Sequence, residues 1–268
     1  MNENTKLNYS VDGINIVSNP PRKRGRNRGF NSTESLEYNL DTHDTNIPNI
    51  DIKIQEEHDK SPNKRVVTDK TDKAGTATHD FSHYVCKYDY LDHPADVILL
   101  GEGSNIREAF QSVAVALYNY TSDLKYVSPL HMKEIKVTGK GLLDLFYHLL
   151  DECLYLYSSD YFIAKYVIIS SEIDIPKTAS LEVFETYEYE IDVFLHGEYY
   201  DRNKHVCGTE VKAITMHYLE LQLAVGDCIL QYKHGMIDKE GVCKFLEDIK
   251  SSGSYKVDDC KAYALIDI

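Results

Sequence analysis

The sequence predicts an α+β fold: a two-layer sandwich in which a mixed β-sheet carries two main helices on one face. Two stretches place apolar residues at helical spacing, and the stretches around them alternate at period two. Their order is strand, helix, strand, helix and then several strands, the pattern of a sheet with its helices grouped together. The last residues, Ala262 to Ile268 (AYALIDI), also alternate as a strand does, so this end is expected inside the sheet, where chain ends ordinarily fray.

Residues 1–83 are rich in Asn, Ser, Thr, Asp and Lys and show no sustained period, so they read as a disordered polar tail. Within it, Arg22 to Arg28 hold five basic residues in seven, open to reading as a solvated charge run, a nuclear-import signal or an RNA-touching patch. From Tyr84 the texture changes, and Tyr84 to Leu91 (YVCKYDYL) predicts an aromatic-rich strand. Ser104 is the expected N-cap of a helix with Ile106, Phe110, Val113, Leu117 and Tyr120 on one face, ending near Ser122. Met132 to Thr138 alternates as a strand. Gly139-Lys140-Gly141 turns it into a second helix with Leu142, Leu145, Phe146, Leu149, Cys153 and Leu156 as its stripe. Strands follow at Tyr161 to Ser171 and Leu181 to Leu195, the second with Glu188, Glu190 and Asp192 on a solvated face. Gly208 to Thr215 (GTEVKAIT), continued by Leu219 to Ala224, is expected to be another strand. A short helix around Lys239 to Ile249 precedes the terminal strand, and residues 84–268 form one domain.

Charge bounds the function. The 268 residues carry a net charge of −14. Residues 81–268 account for nearly all of it, with 17 Lys and Arg against 30 Asp and Glu. Such a body repels phosphate backbones, which argues against direct nucleic-acid binding through a broad positive face. It leaves open contact with a protein that holds RNA. Six Cys without a CxxC pair, and an opening MNENTKLNYS in place of an apolar leader, predict reduced thiols in a cytoplasmic or nuclear protein. No run approaches a membrane span.

The densest chemistry lies in Tyr90 to Asp96 (YLDHPAD), two carboxylates and an imidazole within five residues. If Asp96 meets Asp267 and a terminal carboxylate on Ile268, three oxygen anions share one place, which is tolerable only with a proton or a cation between them. All-oxygen anionic donors suit a hard cation such as Ca²⁺ or Mg²⁺ over zinc. Asp92 reads as an ordinary turn cap. Asp144, His148, Asp151 and Glu152 share a helix face that is ordinarily just solvated. Lys212 is the only basic residue from Val206 to Cys228. Two rival functions stand beside a metal-binding accessory protein. One is a metal-dependent phosphoesterase with His93 as its acid or base, and the other is an interaction module without metal. No phosphate-cradling Gly-rich loop favours the former.

YxYLDHPAD, EAF at Glu108 to Phe110, LLDE at Leu149 to Glu152, KHxxGTEVKAIT at Lys204 to Thr215 and the final IDI occur in the order found in the archease family. The chain closely resembles that family over 84–268, apart from about 225–260, which reads as an insertion. The resemblance implies a non-catalytic activator of an RtcB-type RNA ligase in tRNA splicing, promoting ligase guanylylation and multiple turnover, with tRNA exon halves met only indirectly. It implies metal ligation by Asp96, Asp267 and Ile268, and it makes His93, Glu152 and Lys212 candidates for partner contact. Pro94 stands where the family's DHTAD motif has Thr, a change in the turn that removes none of these ligands.

Overall fold

The computed structural model describes residues 8–11, 14–17, 67–70, 81–176, 180–225, 228–236, 238–252, 257 and 259–268. Three short strands come first: β1 (Asn8–Val11), β2 (Ile14–Val17) and β3 (Val67–Lys70). They fall within the stretch read as tail, whose basic run from Arg22 to Arg28 lies outside the described residues. The body then runs β4 (Lys87–Asp92), β5 (Val97–Gly103), α1 (Ile106–Thr121), β6 (His131–Lys140), α2 (Gly141–Asp160) and β7 (Phe162–Ile169). It continues with α3 (Leu181–Thr186), β8 (Glu188–Tyr199), β9 (Ala213–Val225), β10 (Cys228–Lys233), α4 (Lys239–Ser252) and β11 (Asp259–Asp267).

The α+β class holds. The strands form two sheets, ordered β10-β9-β11-β5-β4 and β3-β6-β8-β7, beside the separate β1-β2 pair. Every pairing among the described residues is antiparallel, so the expected single mixed sheet is corrected to two antiparallel ones. The helices are not confined to one face of one sheet either. Helix α1 packs against β4, β5 and β11 on one side and β7 on the other, while α2 touches β6, β7 and β8 as well as β9.

The reason lies in α1 itself. Residues 109–118 are all buried, and a helix apolar or small all round is a core helix rather than a surface one. Ala109, Ser112 and Ala116 flank the apolar stripe and bring β5 and β4 close. Ser112 Oγ donates to the Glu102 carbonyl at 3.1 Å and Tyr90 Oη to the Ala116 carbonyl at 2.9 Å. A Cβ on Gly101 would stand 2.5 Å from the Ala109 carbonyl oxygen, so only glycine allows this approach. On the other side, Gln111 Oε1 accepts the Ile169 N–H of β7 at 2.9 Å. Phe110 and Phe146, fully buried, stack at 4.5 Å and tie α1 to α2.

Two local readings change. The N-cap of α1 is Asn105, whose side chain accepts from Glu108 N–H at 2.9 Å. Ser104, one residue earlier, instead donates its N–H and Oγ–H to the Glu108 carboxylate, which ties the first turn of α1 to the chain leading into it. The stretch 181–195 divides into α3, capped by Ser180, and β8. In β8 the acidic face is matched across the sheet: Lys136 stands 2.7 Å from Glu190 and 3.5 Å from Asp192, and Lys140 3.9 Å from Glu188. The helix expected near 239–249 is α4, with Val242, Phe245, Leu246 and Ile249 buried. Strand β11 runs between β9 and β5, the middle of its sheet. No helix among the described residues is long and apolar enough to cross a membrane.

Candidate metal and partner site

The candidate residues gather because three strand ends meet. Strands β4 and β5 pair from Lys87↔Glu102 to Asp92↔Val97, so His93 to Asp96 form the connection at that end of the sheet. Strand β11 pairs with β5 as far as Ile266↔Val97 and with β9 as far as Asp267↔Ala213. Val97 and Ile266 are the last paired residues on that side, so Asp96 and Asp267 each lie one residue beyond the pairing of β5 with β11.

Alternation along β11 puts Asp267 on the side of Tyr263 and Leu265, while Asp96 lies in the bend just before β5. Tyr263 and Leu265 form, with Leu91, Ile98, Leu100 and Tyr218, a second buried apolar cluster, separate from the one that includes α1 and α2. The His93 ring packs edge-on against Tyr218 at 5.6 Å, and its Nδ1, buried and without a hydrogen-bond partner among the described residues, stands 3.6 Å from Asp96 Oδ2.

Lys212 closes the other side. Its N–H donates to the Asp267 carbonyl at 2.9 Å, and its Nζ stands 3.0 Å from the main-chain oxygen of Ile268 and 3.9 Å from Asp267 Oδ1. Of the six predicted residues, Asp96, Asp267, Ile268, His93 and Lys212 thus lie at one end of the five-stranded sheet. Glu152 sits half-buried on α2, a separate element. Among the described residues no three His, Cys, Asp or Glu side chains could together hold an ion. The Asp96 and Asp267 carboxylates are both partly exposed, and carboxylate oxygens are donors of the kind a hard cation takes.

The loop leading to Lys212 is held by contacts that periodicity does not reveal. Gly208 N–H donates to the Thr121 carbonyl at 2.8 Å and Thr209 N–H to that of Tyr120 at 3.2 Å, strapping the loop to the end of α1. A Cβ on Gly208 would fall 2.1 Å from the Tyr120 carbonyl oxygen, which explains the glycine of GTEVK. Upstream, the Glu198 carboxylate receives Lys204 Nζ at 2.6 and 2.7 Å, with His205 Nε2 at 3.2 Å. His205 Nδ1 accepts the Asp201 N–H at 2.8 Å, so this ring carries its proton on Nε2, facing Glu198. Burial works to raise the Glu198 carboxyl, but bonds from Lys204, Ser128 N–H and His205 outweigh it and hold the group below its ordinary 4.5. A lowered folded value means stability that is present above the unfolded value and lost as pH falls through the folded one. Glu198→Gln should therefore cost about 2 kcal/mol at pH 7. It should also flatten the acid limb of a urea-denaturation series below pH 4.5, where an unchanged limb would deny Glu198 this role.

Residues 88–232 match the archease protein family, more than half of the chain. The chain belongs to that family. The Drosophila melanogaster "Protein archease-like" is 38% identical over 135 residues, half of this chain and 80% of the relative. The Danio rerio "Protein archease" is 34% identical over 135 residues, covering 50% and 76%. A solution structure of Methanobacterium thermoautotrophicum protein 1598 aligns over 68% of this chain and 98% of its own, at 18% identity and a TM-score of 0.43. The archease match takes in the DHPAD turn, Glu152 and Lys212 and reaches into β10, overlapping the start of the span read as an insertion. It ends before Asp267, the last residue of β11, and Ile268.

Proposed function

We propose that this archease is a non-catalytic activator of an RtcB-type RNA ligase in tRNA splicing, promoting ligase guanylylation and repeated turnover. Asp96, Asp267 and a terminal carboxylate on Ile268 would hold a divalent cation, Ca²⁺ first and Mg²⁺ or Mn²⁺ as alternatives. What supports the reading is that the DHPAD turn and the end of β11 lie at the same end of the five-stranded sheet, Asp96 and Asp267 each following the Val97–Ile266 pair by one residue. A bound ion would supply positive charge there and leave coordination places for water or for a partner's oxygen atoms. Lys212 positions the main chain of Asp267 and Ile268, and His93 bounds the site on the Asp96 side. Family membership supports the ligase pathway. The acidic body supports contact with the ligase protein, with tRNA exon halves met through it. The working place would be the cytoplasm, the nucleus or both.

The test is guanylylation turnover of the cognate ligase, with and without this protein, using the native chain end and one extended by a few residues. Extension keeps both Asp side chains and displaces the terminal carboxylate. Stimulation by the native form alone is the expected result. A folded, metal-loaded protein that stimulates in neither form ends the activator reading and makes phosphoesterase activity the next assay.

A further inference from the structure

We infer that β1 and β2 form a hairpin cover for the outer face of the five-stranded sheet, docked on an apolar surface that runs up to the candidate metal site, with or without an ion there. The inner face is defined by α1. Gly101 of β5 abuts Ala109, Tyr90 of β4 bonds to Ala116, and Ala262 and Ala264 of β11 belong to the same core as α1. Alternation therefore turns Leu91, Ile98, Leu100, Tyr263 and Leu265 to the opposite side. Register lays them out in rows. Leu91 pairs with Ile98 and Ile98 with Leu265, while Leu100 pairs with Tyr263 and, at the sheet edge, with exposed Asp89. The next row is charged: Glu102 pairs with Lys87 and with Lys261, whose Nζ stands 2.9 Å from its carboxylate. Two apolar rows thus lie between that ion pair and the strand ends.

These five apolar residues are only 1–4% exposed, although α1 packs on the other side. A bare sheet face would leave them open to water. The described elements show what covers them. Besides their sheet neighbours, the elements that pack closely on β4, β5 and β11 are α1 and β2, and β2 meets β4. Strands β1 and β2 belong to the same compact unit as the body. They are not hydrogen-bonded to β4, and α1 holds the inner side of that strand. A contact at the free edge of β4 alone would leave Ile98 and Leu265, further into the sheet, uncovered. The outer face accounts for both the contact and the burial.

The hairpin matches that face. Its register pairs Tyr9 with Ile16 and Val11 with Ile14, while Ser10 pairs with Asn15. Alternation gathers the two apolar pairs on one face, again as two rows at the same two-residue spacing. Between Val11 and Ile14 stand Asp12 and Gly13, the dipeptide that two-residue hairpin connections favour. A two-stranded hairpin is marginal alone in water, so an apolar face of this kind calls for a surface to cover. Position gives the cover its consequence. Leu265 stands two residues before Asp267 on the same side of β11, and Tyr218, which packs against this cluster, meets the His93 ring at 5.6 Å. A docked hairpin withholds an apolar surface continuous with that site, and its displacement would bare it.

Ile14→Asp with Ile16→Asp, made in the full chain, puts two charges on the apolar face of the hairpin and alters no residue of the body. Asn15→Asp, on the polar face, is the matched control. Amide hydrogen exchange is measured on all three chains, together with binding of a labelled synthetic peptide of residues 6–19. In the native chain and the control, amides of residues 8–17 should exchange at least about 10-fold more slowly than in the free peptide. Both should also bind the peptide about 10-fold more weakly than the double variant does, because a segment of the same chain already holds the face. The exchange measurement on the native chain needs no variant, so it decides the matter even if the double variant fails to fold. Exchange at free-peptide rates in the native chain would overturn the proposal, as would equal peptide binding by the native chain and a folded double variant. Protection of residues 8–17 that is lost on dilution of a native dimer would overturn it too, by making a second copy's sheet the surface covered.

Discussion

Asp267→Asn should lower the affinity for Ca²⁺ at least 100-fold while leaving the metal-free protein as stable as the native chain or about 1 kcal/mol more so. Two carboxylates close enough to share an ion, roughly 5 Å apart, repel in its absence by about 1 kcal/mol at the dielectric of water and by about 3 kcal/mol near a protein surface. Side-chain exposures of 21% for Asp96 and 51% for Asp267 set the value toward the lower figure. Removing one charge relieves that repulsion and also removes the ion's ligand. Added Ca²⁺ stabilises only the chain that binds it, by about 2.7 kcal/mol at 100 times Kd. The order of the two thermal midpoints should therefore reverse between chelator and Ca²⁺. Asp96→Asn should behave in the same way, whereas Asp92→Asn, in a turn, should match the native protein in both conditions. The competing account makes Asp267 only a salt-bridge partner of Lys212, 3.9 Å away. On that account Asp267→Asn loses the same small stability with and without the ion, and thermal scans in the two buffers decide between them.

Much of this arrangement was legible in the sequence, for identifiable reasons. A strand pattern that runs into Asp267 and Ile268 marks a terminal strand, and DHPAD between two strand patterns marks a connection at a sheet end. Both candidate carboxylates could thus be named before their register was known. What periodicity could not give was the partner of each strand. It cannot tell one mixed sheet from two antiparallel ones, since alternation reports a face and not a neighbour. The position of α1 was missed for a related reason. Its apolar stripe was plain, but Ala109, Ser112 and Ala116 count for little in a hydropathy pattern, although Ala109 meets Gly101 of β5, Ser112 bonds to Glu102 and Ala116 accepts from Tyr90 of β4. Leu181 to Leu195 read as one strand because its acidic residues conceal the cap at Ser180. Tyr218, which meets His93 across the sheet, and the strap from Gly208 and Thr209 to the end of α1 depend on contacts between distant segments. Gly208 was the one local signal of that strap, a glycine where close approach to Tyr120 requires it.

Phe146→Ala should cost about 3–5 kcal/mol, the largest loss expected from a single side chain here. Phe146 is fully buried and stacks on Phe110 at 4.5 Å with the planes 20° apart, joining the two helices that lie between the sheets. Removing it sacrifices the apolar area, the stacking and the filling of the space between α1 and α2 at once. The loss is a large share of the 5–15 kcal/mol that ordinarily separates folded from unfolded chains. Urea denaturation should show the midpoint falling with little change in slope, and Phe146→Leu should recover about half of the loss. This variant also separates fold from site. The loop that carries Lys212 is tied to the far end of α1 through Tyr120 and Thr121, well along the chain from Phe110, so the folded fraction should bind Ca²⁺ with native affinity. Added ion should then raise the midpoint of Phe146→Ala as far as it raises that of the native protein, and leave Asp267→Asn where it was. A Phe146→Ala protein that Ca²⁺ does not stabilise would mean that the core and the strand-end site are one cooperative unit, and that the two carboxylates depend on the packing of α1 against α2 for their positions.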